Sequence, residues 1–303
     1  MTESQTELMR RFTRYRNDFP ALARHMEGKP LAYFDGPGGS QVPRQVMEGM
    51  NRYYEGSNAN THGQFVTSRE TDALLDSSRE VVASFLNAAS SEQISFGANM
   101  TTLNFALSHA LGRHLHPGDR ILITQLDHEA NRGPWLKLRD LGIEVVEVKM
   151  HSNGRLDYED FEIKLTERTR LVAIGWASNA LGTVNDLERI RTVSQATGAW
   201  LLVDAVHYAP HFPVDVREVG ADFLLCSAYK FYGPHIGILY CRENLLGQLD
   251  TDRLRTQESQ APFRIETGTL NHAAIAGTQS PVRYLSTLGQ GETLRDRIVS
   301  GME

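Results

Sequence analysis

Seven short strand candidates, all but 144–149 mainly apolar, punctuate the chain, at 94–97, 120–124, 144–149, 170–175, 200–204, 222–227 and 236–241, and most are separated by stretches with helical spacing. Runs this short, apolar and bounded by polar residues suit strands buried on both faces, the condition of a parallel sheet whose crossovers are helices. The alternation predicts an α/β fold: a seven-stranded, mostly parallel sheet with helices on both faces. Helices are expected over 3–16, 42–54, 67–87 and from 100–102 to 115, with a further short strand over 31–34.

At 303 residues, 41% of them apolar, the chain suits one large α/β domain with an appendage. Its net charge of −6 argues against a nucleic-acid partner. The basic cluster Arg10, Arg11, Arg14 and Arg16 is expected to line an exposed amphipathic helix, on which Leu8, Phe12 and Tyr15 share helical spacing for docking. The only cysteines, Cys226 and Cys241, fall on expected strands, so no disulfide framework is predicted. No apolar stretch reaches membrane-spanning length and the polar N-terminus lacks a signal-peptide core, so a cytoplasmic protein without a membrane partner is expected.

The stretch 200–234 carries the chemistry. Trp200-Leu201-Leu202-Val203 ends in Asp204, at the carboxyl end of a strand, where open α/β sheets bind ligands. Phe223-Leu224-Leu225-Cys226 ends in Ser227-Ala228-Tyr229-Lys230, and the following Phe231-Tyr232-Gly233-Pro234 cannot continue a helix, so Lys230 is expected on a turn. A lysine and an acid in these places suit pyridoxal 5′-phosphate. Its aldehyde needs an amine to hold it as a Schiff base, and its ring nitrogen stays protonated beside a carboxylate. Spacing alone also allows the commoner arrangement, a solvated lysine past a strand end and an acid capping the next segment.

Other clusters fall around these ends. Asn99, Thr101 and Thr102 open the helix after the first sheet strand, where free N–H groups and the helix dipole favour a phosphate; the same residues also suit plain capping. The turn Asp35-Gly36-Pro37-Gly38-Gly39-Ser40 exposes backbone N–H groups, at Gly39 among others, to receive a substrate carboxylate, or is simply a tight turn. The polar loop 56–63, with Asn60 and His62, is either a surface connector or a substrate-facing wall. A His128 ring can stack on a flat heterocycle, and an Asn179 amide can hydrogen-bond a phenolic oxygen. Asp127, His128, His207 and His211 are scattered over distant strands, so no metal is expected.

These residues also carry a resemblance. Tyr33-Phe34-Asp35, Asp127-His128-Glu129-Ala130-Asn131 with Pro134-Trp135, Ala177-Ser178-Asn179-Ala180-Leu181-Gly182, Val203-Asp204-Ala205-Val206-His207 and Cys226-Ser227-Ala228-Tyr229-Lys230-Phe231-Tyr232-Gly233-Pro234 appear in family order between 31 and 275. In them the chain resembles class V aminotransferase-fold proteins of the cysteine desulfurase-like group, close to the SufS and selenocysteine lyase type. Asn99-Met100-Thr101, Asp204-Ala205-Val206-His207-Tyr208-Ala209-Pro210-His211 and Ser227-Ala228-Tyr229-Lys230 most resemble a subgroup whose reaction is poorly defined.

The resemblance implies the fold type I of pyridoxal-phosphate-dependent transferases. Residues 1–30 would be an N-terminal segment docking on the small-domain side, 31–265 the large cofactor-binding domain, and 266–303 a linker helix and the start of a small domain that is largely missing. Lys230 would hold the cofactor and move protons at the substrate Cα. Asp204 would pair with the ring nitrogen and His128 stack on the ring, with Asn179 and His207 at its hydroxyl. Asn99, Met100, Ser227 and Tyr229 would hold the phosphate, and Thr269 would reach the phosphate of a partner subunit, which implies a homodimer.

The implied activity is that of an enzyme on a small amino acid, with C–S cleavage of L-cysteine foremost. Transamination, racemisation, β-elimination or a non-catalytic scaffold stand as alternatives. Departures from the pattern bear on that choice. A histidine, His207, stands where a glutamine is usual, and Tyr229 where a histidine is common. The arginine that clamps a substrate carboxylate and the loop with the persulfide-forming cysteine lie beyond the matched part, so a truncated chain that binds cofactor without completing turnover is expected. Cys226 and Cys241 read as core residues.

Overall fold

The computed structural model describes residues 3–303. Nine strands lie at β1 His25–Met26, β2 Lys29–Pro30, β3 Ile94–Gly97, β4 Arg120–Thr124, β5 Glu144–Val148, β6 Thr169–Gly175, β7 Trp200–Asp204, β8 Phe223–Ser227 and β9 Gly237–Cys241. Helices lie at α1 Glu3–Arg16, α2 Arg44–Gly56, α3 Val66–Leu86, α4 Met100–His114, α5 Gly133–Leu136, α6 Tyr158–Lys164, α7 Leu187–Thr197, α8 Val216–Val219, α9 His272–Ser286 and α10 Leu294–Met302.

The seven strands expected in the sheet all join it, in the order β3-β9-β8-β7-β6-β4-β5. β4 to β8 run parallel, and only β9 opposes its neighbours β3 and β8. Alternation along each strand builds the two cores. Leu201, Val203, Leu224 and Cys226 face one side with Val82, Phe85 and Leu86 of α3; Leu202, Phe223 and Leu225 face the other with Leu103, Leu107 and Leu111 of α4. Each layer removes a continuous apolar face from water, the main favourable term in folding. α9 packs on α2, α3 and α10, and so closes the α3 side.

The strand expected over 31–34 is not formed. The Leu31 N–H donates to the Arg24 carbonyl at 2.9 Å, but no further ladder bond follows it and Phe34 is 91% exposed, so the rest of the segment has no apolar face to bury. A two-residue hairpin, β1 and β2, precedes it instead. In α1 the side chain of Leu8 lies outside the described residues, Phe12 is exposed and Tyr15 is half-buried. Arg16 anchors the helix end by donating to the carbonyls of Leu22 and Leu31 at 2.7 and 2.5 Å. No helix among the described residues is long and apolar enough to cross a membrane.

Candidate active site

β7 and β8 pair in parallel with Asp204 opposite Leu225, so Asp204 and the turn after Ser227 leave the sheet at the same edge. Lys230 closes the short 3-10 turn 228–230 that follows β8. Between them opens a cleft lined by Asp204, His207, Lys230, His128, Ser227 and Tyr229, and by the start of α4 at Asn99, Met100 and Thr101. Four separate stretches of sequence thus meet at the carboxyl ends of parallel strands, the expected place for a ligand in such a sheet.

Local packing explains the convergence. Gly237 of β9 has no room for a side chain: a Cβ there would lie 2.3 Å from the Asn99 carbonyl carbon and 2.6 Å from the Met100 nitrogen. Only glycine lets the first turn of α4 press against the sheet. Asn99 is also the N-cap, its Oδ1 accepting from the Thr102 N–H at 2.8 Å and from the Thr102 hydroxyl at 2.9 Å. Asp127 ties the ends of two strands together by accepting from the N–H groups of Thr124 and Gly175. Burial nevertheless pushes its pKa up to about 7.

The electrostatics are those of charged groups held away from water. Asp204 is 6% exposed, and burial pushes its pKa up to about 6, against the pull of the Val206 N–H, 2.9 Å from Oδ1, and of Lys230. Lys230 is 8% exposed; burial lowers its pKa, while Asp35 and Asp204 oppose the shift. Its Nζ donates to the Pro37 carbonyl and lies 4.9 Å from the centre of the Tyr229 ring. Burial, and then the charges of Lys230, His128 and His211, push His207 down to about 4, so it is a neutral imidazole at physiological pH. His128 is exposed on the cleft wall, its Nδ1 accepting from the Ala130 N–H at 3.1 Å.

Several residues singled out in the sequence lie elsewhere. Asn179 is half-buried in the turn after β6 and is not among the residues lining the cleft. Thr269 is exposed and lines neighbouring clefts with Asn271. Asn60 lines one of those clefts, and the His62 imidazole bridges Asp72 and Glu258 on the surface. Gly39 packs against the Tyr229 ring, where an added Cβ would lie 3.1 Å away. The structure also brings Pro37 and Ser40 of the 35–40 turn onto the lysine turn, a contact that the sequence signal of exposed backbone N–H groups does not contain. Both cysteines are buried in strands outside the cleft, and burial raises both thiol pKa values, that of Cys241 to about 12. No group of residues suited to a metal ion occurs among the described residues.

The cleft's donor set fits pyridoxal phosphate. A buried acid accepts one backbone hydrogen bond and makes no ion pair within 4 Å among the described residues, and a buried amine lies on the adjacent strand end. Residues 32–297 match the class-V aminotransferase family. The chain is 35% identical to a cysteine desulfurase of Pectobacterium atrosepticum over 298 residues, covering 93% of this chain and 73% of that protein. It is 37% identical to a cysteine desulfurase of Yersinia pseudotuberculosis over 292 residues, covering 91% and 72% respectively. The apo structure of cysteine desulfurase from Thermococcus onnurineus NA1 matches with a TM-score of 0.82 at 30% identity, covering 91% of this chain and 71% of that one. The chain therefore belongs to the class-V aminotransferase family, as a homologue of its cysteine desulfurases.

Proposed function

We propose that this protein is a pyridoxal-phosphate enzyme acting on a small amino acid, with C–S cleavage of L-cysteine its first reaction. The observation that carries this reading is the convergence of a buried amine, Lys230, and a buried acid, Asp204, on one cleft beside the start of α4. When bound, pyridoxal phosphate supplies an aldehyde for amines and a ring that draws electrons from the substrate Cα.

The chain's own residues supply the rest. Asp204 holds the proton on the ring nitrogen. Lys230, its charged form disfavoured by burial, gives up a proton at lower pH than an exposed lysine, so it serves both as the anchoring amine and as the base at the substrate Cα. His128 offers a ring face for stacking, and the backbone at Asn99 and Met100 binds phosphate together with Ser227 and Tyr229. We give the phenolic oxygen to His207, which lines the cleft as Asn179 does not. Thr269, exposed and outside this cleft, serves a second copy of the chain in a homodimer.

A second reading of the product concerns the sulfur, since no thiol among the described residues lines the cleft. Forming alanine from cysteine requires a thiol to take the sulfur, and neither Cys226 nor Cys241 lines the cleft. β-Elimination needs none: cysteine and water give pyruvate, ammonia and hydrogen sulfide. The test is the visible spectrum after adding pyridoxal phosphate, followed by borohydride reduction and peptide mapping, with alanine and pyruvate measured after L-cysteine is added. A reducible adduct on Lys230, lost in Lys230→Ala, is expected. An adduct on another lysine, or none, overturns the assignment.

A further inference from the structure

One side chain joins the glycine-rich turn 35–40 to the turn that carries Lys230. The Ser40 hydroxyl donates to the Tyr229 carbonyl at 2.9 Å and accepts from the Tyr232 N–H at 2.7 Å. The Ser40 N–H donates to the same Tyr229 carbonyl at 3.0 Å. Ser40 therefore bonds the backbone on both sides of Lys230. Tyr232 has a φ of 71°, a left-handed conformation that costs energy in an aromatic residue, and its N–H direction is fixed by this acceptor.

The rest of the turn converges on the same lysine. The Tyr33 hydroxyl donates to the Gly39 carbonyl at 2.6 Å, and Gly39 lies against the Tyr229 ring. With the turn so fixed, the Pro37 carbonyl accepts from Lys230 Nζ, and Asp35 is close enough to favour the lysine's charge.

We propose that Ser40 is a positioning residue for Lys230: by bonding both flanks of the lysine it sets the Pro37 carbonyl where it holds the amine and covers it from solvent. The proposal rests on Lys230 being the functional lysine. Ser40 touches neither the reacting atoms nor the phosphate-binding start of α4. Its effect passes through the geometry of the 35–40 turn, since a displacement of about 1 Å at a reacting group is enough to cost much of its rate.

The test compares Ser40→Ala with the native chain by two reagents. Acetic anhydride, small and undiscriminating, reports how free the amine is; pyridoxal phosphate with borohydride trapping reports how well it is placed. In Ser40→Ala, acylation of Lys230 should rise and pyridoxal-phosphate trapping should slow, each by roughly five- to tenfold, the scale of one or two lost hydrogen bonds. Ser40→Thr, which keeps the hydroxyl, should restore both, and Tyr33→Phe should move both in the Ser40→Ala direction.

Thermal melts of each variant accompany the labelling, because general unfolding would also speed acylation of the half-buried Lys164. Unchanged acylation of Lys230 in a folded Ser40→Ala overturns the proposal, as does equal acceleration at other lysines. If the native chain forms no pyridoxal-phosphate adduct, the functional reading falls, and the acylation comparison still decides the role of Ser40.

Discussion

Asp204 shows how much of a residue's chemistry is set by where the fold puts it. In water it would be an ordinary carboxylate; burial brings its pKa up to about 6, near enough to neutrality for its charge to depend on pH. Above that value the ionised acid attracts a protonated ring nitrogen, and below it the neutral acid loses that advantage. Asp204→Asn should therefore weaken pyridoxal-phosphate binding at pH 8 by about 1.5–3 kcal/mol, the contribution of a charged hydrogen-bond partner. The gap between native and variant should close as pH falls through about 6. Absorption titrations from pH 5.5 to 8 measure it, and equal affinities throughout would mean that the ring nitrogen faces some other group.

At the scale of elements, the segment between β9 and α9 is held by a buried ion pair. Arg79 of α3 donates to both carboxylate oxygens of Glu266, at 2.6 and 2.8 Å, and to the Ile94 carbonyl at 2.7 Å. Its guanidinium also lies over the rings of Phe96 and Phe263, 5.0 and 4.9 Å from their centres. Glu266 accepts in turn from the Phe96 N–H at 2.6 Å. This pins the start of the 266–271 segment, which presents Thr269 and ends in Asn271, the N-cap of α9. Glu266→Ala should cost about 3–5 kcal/mol in urea unfolding, because it strands a buried cation. The double change Arg79→Met with Glu266→Leu should recover most of that loss; failure to do so would show that the pair contributes more than mutual neutralisation.

For the whole molecule, the proposed division of labour between copies has a direct test. Lys230→Ala lacks the amine, and Thr269→Ala lacks the phosphate contact offered to a neighbour. Mixed after gentle dissociation, the two variants should form hybrids in which one site is complete, its Lys230 from one copy and its Thr269 from the other. Cofactor trapping should then rise above that of either variant alone. Trapping equal to the average of the two would mean that Thr269 serves the cleft of its own chain or none.

The sequence by itself determined the seven strands, because the runs are short, β-branched or apolar, and alternate with stretches of helical spacing, and it determined which strand ends carry Asp204 and Lys230. The helix start after β3 added Asn99 and Thr101 and ring chemistry added His128, while family motifs added Met100, Ser227, Tyr229 and His207; all of these line one space. What the tertiary structure decided is everything that depends on distant backbone meeting. The stretch 31–34 reads as a strand, yet after Leu31 no neighbouring strand or apolar face reaches it, so Phe34 stays in solvent. Asn179, Asn60 and His62 lie on loops whose paths no local pattern fixes, and none of them lines the cleft. Ser40 is an unremarked serine in a glycine-rich turn until folding brings it to the carbonyl of Tyr229, 189 residues away. Side-chain periodicity is local and therefore legible; a hydrogen bond across the fold, and the burial that shifts Asp204 and His207, exist only once the chain has packed.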